Sequence, residues 1–261
     1  MLWAGSFARQ NSRGATIDSD PTSWTRQAAF AETRWSVVLA AGDGDNRPAA
    51  HQAMGELAQL YWFPLYAFAR RQGESRHQAE DLVQAFFAAV MEKRYLAEVD
   101  RSKGRFRSFL LAAMKHFMSK ERARQKSLKR GGGKTVIALD GLDAEARYAL
   151  EPATNITPER LFDRRWALAV LDHVLDRLRQ EYDHAGKARL YDALEACLTS
   201  NSRAIGYAAI ARSLGIGEGT ARVAAHRLRK RYRDLLRQEI AHTVDSPGQV
   251  DEEISYLLSC L

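Results

Sequence analysis

The 261-residue sequence contains only two cysteines, Cys197 and Cys260, which lie far apart in the chain. Two isolated cysteines exclude a disulfide scaffold and a cysteine-rich zinc site. No run approaches the roughly 18 apolar residues of a membrane-spanning helix. Residues 1–20 lack the continuous apolar core of a secretory signal peptide. These absences predict a soluble, cytoplasmic protein that does not bind membranes.

Strand-like alternation of polar and apolar residues is also missing. Instead, apolar residues recur every three or four positions, which is helical spacing. One predicted helical face carries Ala79, Leu82, Val83, Phe86, Phe87 and Val90. We therefore predict an all-α protein with two helical domains joined by an acidic linker, the C-terminal domain being a helix-turn-helix.

The predicted boundaries follow breaks in the helical pattern. They give a flexible segment (1–29), a first helical domain (30–130), a linker (131–157), a second helical domain (158–241) and a C-terminal extension (242–261). The linker starts at three glycines and is rich in acidic residues. Asp140, Asp143 and Glu145 are candidates to cover a basic surface in the free protein.

Local signals refine these boundaries. Pro64 lies inside a helical pattern and predicts a kink or a junction. Thr157 can cap a helix whose first position is Pro158. After Pro247 the sequence has the pattern of a short amphipathic helix, which either packs on the protein or regulates it.

The stretch from Tyr207 to Leu236 combines closely spaced glycines with many basic residues. The apolar pattern before Gly215 is too short for a stable isolated helix and needs a packed partner. Ala211 permits a close helix crossing, Gly215 tolerates a left-handed turn, and Ala221 would face inward. The inward stripe continues through Ala224 or Ala225, Leu228, Tyr232 and Leu235. This spacing predicts a helix-turn-helix.

The opposite face of the second helix is basic. In a helix-turn-helix the second helix enters the major groove, where arginine can pair with guanine and other cations neutralise phosphate. The residues predicted to meet duplex DNA are Arg222, His226, Arg227, Arg229, Lys230 and Arg233. A solvated basic helix in an unrelated bundle is the alternative. The net charge of +7 also favours an anionic partner.

A second basic region runs from Arg101 to Lys134, with twelve basic residues and one acid, Glu121. Aromatic residues lie among the cations, and unpaired bases stack on aromatic rings with about 1–3 kcal/mol each. The residues predicted to meet single-stranded DNA are Arg101, Lys103, Arg105, Phe106, Arg107, Lys115, His116, Lys120, Arg122 and Arg124. Phe109 and Phe117 fit core positions better, whereas Phe106 either stacks on a base or packs in the core.

Four stretches in this order resemble a bacterial sigma factor of the extracytoplasmic-function type. They read LYWFPLYAFARRQG, AEDLVQAFFAAVMEK, GRFRSFLLAAMKHFMSKERARQK and YAAIARSLGIGEGTARVAAHRLRKRYRDLL. The resemblance covers about residues 50–130 and 158–240. This chain departs from the family pattern at Ala221, where valine or isoleucine is usual, and at His116, where asparagine is frequent.

The resemblance implies a subunit that binds core RNA polymerase, directs it to promoters and assists their opening. Its contacts on the β′ clamp helices would be Asp81, Leu82, Gln84 and Phe87, and the β flap would be a further contact of the chain. The second basic region would bind the melted minus-ten element. The helix-turn-helix would read the minus-thirty-five element, with Val223 among the base-facing residues. An anti-sigma factor is an implied candidate partner.

No motif assembles a catalytic site. His77 and Asp81 have the spacing of two metal ligands, but no third ligand accompanies them. We expect no enzymatic activity, no catalytic residues, no metal and no cofactor.

Two other functions remain open at this point. A stand-alone helix-turn-helix regulator would bind duplex DNA without polymerase and would not need the helix at 79–93. A protein that sequesters partners and has lost DNA binding would not need the basic face at 222–233.

Overall fold

The structure is a computed structural model that describes residues 47–91, 105–127, 141–149, 156–199, 206–244 and 246–261. These ranges contain α-helices, one short 3-10 helix at Pro247–Gln249, and no strand. The helices are α1 (Arg47–Arg71), α2 (Arg76–Met91), α3 (Phe106–Ser127), α4 (Gly141–Ala149), α5 (Pro158–His184), α6 (Ala188–Leu194), α7 (Ala196–Thr199), α8 (Tyr207–Leu214), α9 (Glu218–Ala241) and α10 (Val250–Ser259). The predicted all-α class is confirmed for the described residues.

Helices α1 and α2 are joined by a tight turn at Gly73, whose φ of 92° is left-handed. Ser75 and Gln78 then form a reciprocal cap: the N–H of Gln78 donates to Ser75 Oγ, and the N–H of Ser75 donates to Gln78 Oε1. All six apolar residues predicted for one face of α2 are buried. Helix α1 passes through Pro64 without ending, so there is no junction at Pro64, and the alternative of a kink stays a prediction.

Helix α5 contacts α1, α6, α9 and α10. It begins as the sequence predicts, because Thr157 Oγ1 accepts a hydrogen bond from the N–H of Arg160 at 3.3 Å and Pro158 follows the cap. Its buried face centres on Trp166, which is fully enclosed. Helix α5 therefore links helices from both predicted domains.

Helix α4 lies inside the segment predicted to be a linker. Its Glu145 forms an ion pair with Arg70 of α1 at 2.7 Å and accepts a hydrogen bond from the hydroxyl of Tyr66. The Arg70 guanidinium also lies over the ring of Tyr148. One linker carboxylate thus covers a basic side chain, whereas Asp140 lies outside the described residues.

The C-terminal extension forms a packed helix. Helix α10 is amphipathic, as predicted: Val250 and Leu257 are buried against the protein, and Leu258 is exposed. It contacts α5 and α9. The predicted packing of the extension on the protein is therefore observed.

All described residues lie in one compact unit, and buried apolar side chains from nearly every helix form one cluster. The division into two domains stays a prediction. The predicted segment 1–29 lies outside the described residues. Across the described helices, none is long and apolar enough to span a membrane.

Candidate nucleic-acid interface

Helices α8 and α9 pack against each other and are joined by a turn at 215–217. Gly215 has a φ of 67°, and the N–H of Ile216 closes the end of α8 by donating to the carbonyl of Ala211 at 3.0 Å. Ala211 and Ala221 are both buried, as a close helix crossing requires. The turn and the two small residues lie where the sequence predicts them.

Replacing Gly215 by alanine is expected to lower the free energy of unfolding by about 1–2 kcal/mol, because an L-residue is strained in the left-handed conformation. No atom lies within 4 Å of the added Cβ, so the loss would be conformational strain and not a clash. Urea unfolding followed by circular dichroism measures it.

Gly219→Ala is the matched control. Gly219 lies in the first turn of α9, has ordinary helical backbone, and also has open space around an added Cβ. Its stability should stay the same or rise slightly, because alanine has the higher helix propensity. Equal effects of the two substitutions would contradict the importance of the left-handed turn.

The buried stripe of α9 leaves a basic face exposed to solvent. Ala221, Ala225, Leu228 and Leu235 are buried, and Ala224 and Tyr232 are half-buried. The exposed side chains on the other face are Arg222, Val223, His226, Arg227, Lys230 and Arg233. Six of the seven residues predicted for duplex DNA therefore lie on one accessible face, although their contact with DNA stays a prediction.

Arg229 is the exception on α9. Its Nε donates to the carbonyl of Cys197 at 2.9 Å, and its terminal nitrogens lie 3.3 Å from the hydroxyl of Tyr207. These contacts tie α9 to α7 and to the start of α8. Arg229 consequently has a structural role in this conformation.

Arg222 is held loosely. Its Nη2 donates to Glu218 Oε1 at 2.6 Å, one turn earlier on the same helix, and its guanidinium lies over the ring of Tyr207. The hydrogen bond to Glu218 raises the pKa of Arg222 above its usual range. Because the pair is exposed, it contributes little to stability and leaves the arginine available to another partner.

The side chains of the second basic region differ in how deeply they are buried. Arg101 and Lys103 lie outside the described residues. The later side chains on α3 are exposed: Lys115, His116, Lys120, Arg122 and Arg124. Lys115 lies 2.7 Å from Glu159, Arg122 lies 2.7 Å from Glu74, and Arg124 lies 3.0 Å from Glu121, so these three cations have carboxylate partners.

Phe106 and Arg107, in contrast, are buried at the start of α3. The Phe106 ring is 7% exposed and packs edge-on against Tyr61 at 5.4 Å between centroids. Stacking on a base would require this ring to leave the core. Phe117 is also buried and Phe109 is half-buried, in agreement with the core positions predicted for them.

A largely buried ionic group, here called the Glu253 cluster, includes the two arginines on either side of Phe106. Its members are Arg105, Arg107, Asp163, Glu253 and Tyr256. Arg107 Nε donates to Glu253 Oε1 at 2.6 Å, and Arg107 Nη1 donates to Asp163 Oδ1 at 2.6 Å. Arg105 Nε lies 2.9 Å from Glu253 Oε2. The Tyr256 hydroxyl donates to Asp163 Oδ2 at 2.7 Å.

The electrostatics of this cluster favour the ionised arginine. Burial opposes the charge of Arg107, but the hydrogen bond to Glu253 and the attraction of Glu253 and Asp163 outweigh it, so the pKa of Arg107 lies above its usual range. Burial, together with the hydrogen bond to Asp163, raises the pKa of Tyr256 to about 12. The Arg107 guanidinium also lies 4.1 Å from the centroid of the Tyr256 ring.

The four residues predicted to dock on polymerase differ in exposure. Asp81 is exposed and Gln84 is half-buried on α2. Leu82 and Phe87 are 8% and 9% exposed, so their side chains belong mainly to the core. The structure thus presents one acidic and one amide side chain at this surface.

The helices α2 and α3, with the second half of α1, form a segment whose sequence can be compared with known families. Residues 60–128 match the family model of sigma-70 region 2. This region 2 segment spans about a quarter of the chain, and the match supports a relationship to the sigma-70 family. No curated protein and no solved structure gives a significant match.

The sigma-70 region 2 family binds core RNA polymerase and promoter DNA, and the match suggests a role in promoter recognition. Sigma-70 proteins are transcription initiation factors and not enzymes. Within the described residues, no group of three or more histidine, cysteine or acidic side chains could hold a metal ion.

The sequence pattern does not predict the partners of the buried basic residues, namely Asp163 and Glu253. A signal was present for Glu253, because it falls between Val250 and Leu257 on the apolar stripe of α10. A carboxylate on an apolar face needs a buried cation. The identity of that cation, 146 residues away, could not be read from the pattern.

Proposed function

We propose that the protein is a promoter-specificity subunit of the extracytoplasmic-function type, which binds core RNA polymerase, selects promoters and helps to open them. The observation that carries the proposal is the match of residues 60–128 to sigma-70 region 2. The exposed basic face of α9, far along the chain from that segment, supplies the second DNA contact that such a subunit needs.

The proposed reader of duplex DNA is α9, with α8 and the Gly215 turn forming a helix-turn-helix. The first turns of a recognition helix lie nearest the base edges. Arg222, Val223, His226 and Arg227 occupy those turns and are exposed. Lys230 and Arg233 lie further along and would neutralise phosphates of the minus-thirty-five element.

The proposed reader of the melted minus-ten element is the start of α3 with the preceding residues 101–104. Arg105, Phe106 and Arg107 would hold the unpaired strand. The exposed cations along α3 would hold its phosphates, since electrostatic contacts track the backbone of single strands.

The proposed docking helix is α2. Reversing the charge of its exposed Asp81 to lysine should reduce retention of the protein on immobilised core RNA polymerase, because a carboxylate would be lost from the contact and a repelling cation added there. Asp183→Lys is the matched control, since Asp183 is an exposed carboxylate at the far end of α5. Circular dichroism checks that both variants fold.

Equal retention of the two variants would move the docking face away from Asp81. Failure of the unaltered protein to bind core polymerase at all, together with no promoter-dependent transcript in vitro, would remove the proposed function.

A stand-alone duplex-DNA regulator is the second candidate. It is favoured by one observation: Leu82 and Phe87 lie largely in the core, which leaves α2 little apolar surface for a partner. Such a regulator would bind duplex DNA through α9 and would not be retained by core polymerase, so the retention experiment separates the two candidates.

A further inference from the structure

The C-terminal helix α10 covers the start of α3. Three of its side chains reach the protein interior: Val250, Glu253 and Leu257, with exposures of 5% or less. Of these, Glu253 meets Arg105 and Arg107, while the apolar pair joins the common core. The helix is therefore fastened both by apolar packing and by two arginines.

Every residue of the Arg105–Arg107 segment is engaged by the end of the chain. Glu253 Oε1 accepts a hydrogen bond from Arg107 Nε at 2.6 Å, and Glu253 Oε2 forms an ion pair with Arg105, whose Nε lies 2.9 Å away. Between them, the N–H of Phe106 donates to the carbonyl of Thr243 at 3.2 Å. Tyr256 covers Arg107 with its ring.

The geometry of Glu253 resembles that of a phosphate group held by two arginines. A guanidinium pairs with carboxylate and phosphate oxygens in the same planar fashion. A single carboxylate bridging two arginines thus occupies the place that one backbone phosphate would take. Asp251 and Glu252 continue the negative charge along the same helix.

We propose that α10 is an autoinhibitory mimic of single-stranded DNA, in which Glu253 competes with a DNA phosphate for Arg105 and Arg107. The inference rests on the proposed function, which assigns these arginines to the unwound strand. In the free protein the site is closed by α10, and it opens when the helix is displaced.

The ionic contacts of α10 can be exchanged for contacts with DNA at modest energetic cost. A buried ion pair contributes little net stability, because desolvation offsets the attraction. When DNA replaces Glu253, both arginines remain paired and the carboxylate returns to water. The helix has only ten residues, too few to be stable in isolation, and one of its faces is exposed. DNA would replace the ionic part of its attachment, while the apolar contacts of Val250 and Leu257 would be given up when the helix leaves.

The test uses the full-length protein with a fluorescent single-stranded DNA of mixed sequence, titrated at several salt concentrations. Glu253→Gln should bind this probe roughly tenfold more tightly at low salt than the unaltered protein. The slope of log affinity against log salt should steepen by roughly 0.7 for each arginine that gains a phosphate. Binding of a duplex probe, assigned to α9, should change little.

Asp251→Asn is the matched control. It makes the same change of charge on the same helix, but Asp251 is exposed and pairs with Arg237 on α9. Its affinity and salt slope should equal those of the unaltered protein. A comparable gain from Asp251→Asn would assign the effect to net charge and overturn the proposal.

Tyr256→Phe provides a milder variant should Glu253→Gln fail to fold. It removes the hydroxyl that donates to Asp163 and keeps the ring over Arg107. We expect a smaller gain in single-strand affinity in the same direction. Unchanged affinity and slope in a folded Glu253→Gln protein, or in Tyr256→Phe where the first variant does not fold, would overturn the inference.

The failure of this inference is distinguishable from failure of the proposed function. Retention on core polymerase reports the proposed function and does not depend on α10. A protein that is retained by polymerase but whose variants bind single strands equally well would keep its function and lose its autoinhibition.

Discussion

Replacing Arg107 by alanine is expected to lower the free energy of unfolding by about 3–5 kcal/mol, the usual cost of breaking a buried ion pair from one side. Arg107 is the member of the Glu253 cluster that pairs with two carboxylates. Without it, Glu253 remains fully buried with Arg105 as its ion-pair partner, and Asp163 loses the Arg107 cation. Urea unfolding measures the change.

Arg237→Ala is the matched control for this prediction. Arg237 also pairs with an acidic residue of α10, but both partners are exposed, and exposed pairs contribute little. The control should unfold close to the unaltered protein. A similar small change for Arg107→Ala would mean that water or a rearranged Arg105 compensates for the lost charge.

Binding of duplex DNA is expected to weaken roughly a hundredfold when monovalent salt rises from about 50 mM to about 200 mM. This estimate assigns one phosphate to each of four exposed cations of α9, with a slope near 0.9 per phosphate. The four are Arg222, Arg227, Lys230 and Arg233. Fluorescence anisotropy with a mixed-sequence duplex measures it, and a flat response would exclude this face as the DNA surface.

Single substitutions separate base contacts from phosphate contacts on that face. Lys230→Ala should lower the salt slope by about one and weaken all sequences equally. Arg222→Ala should instead relax selection at one base position, by roughly tenfold to a hundredfold, in a binding selection from randomised duplexes. A uniform loss for Arg222→Ala would show that this arginine contacts phosphate alone.

Local features of the fold were predictable from local pattern. The buried face of α2 follows from apolar spacing, and the start of α5 follows from Thr157 and Pro158. The left-handed turn at Gly215 and the buried Ala211 and Ala221 follow from steric requirements. In each case the local structure is determined by interactions between residues that are close in sequence, or by the polarity of one helical face.

Long-range pairing was not predictable in the same way. The acidic composition of residues 141–149 predicts a linker, but the segment forms a helix that contacts Arg70 and Tyr66 of α1. Similarly, Arg105 and Arg107 read as exposed cations until Glu253 is placed beside them. The burial of a charged residue can be predicted only when its partner is known, and one sequence does not reveal that partner.

The accessibility of the predicted site residues shows the same division. Apart from Arg229, those of α9 face solvent because the helix buries only one stripe. Phe106, which could have stacked on a base or packed in the core, lies in the core. Its role toward DNA stays a prediction that concerns another conformation of the chain.

The packing of α1 on α5 has a thermodynamic consequence for the whole molecule. Tyr61 and Trp166 come from opposite sides of the predicted linker, yet both are sealed in the same apolar cluster. Separating the two halves would expose that apolar surface to water, at a free-energy cost of about 25 cal/mol for every Å² exposed. A partner that separates the two halves must therefore offer an apolar surface of similar size. The binding free energy that this partner must provide increases with the apolar area that would otherwise be exposed to water.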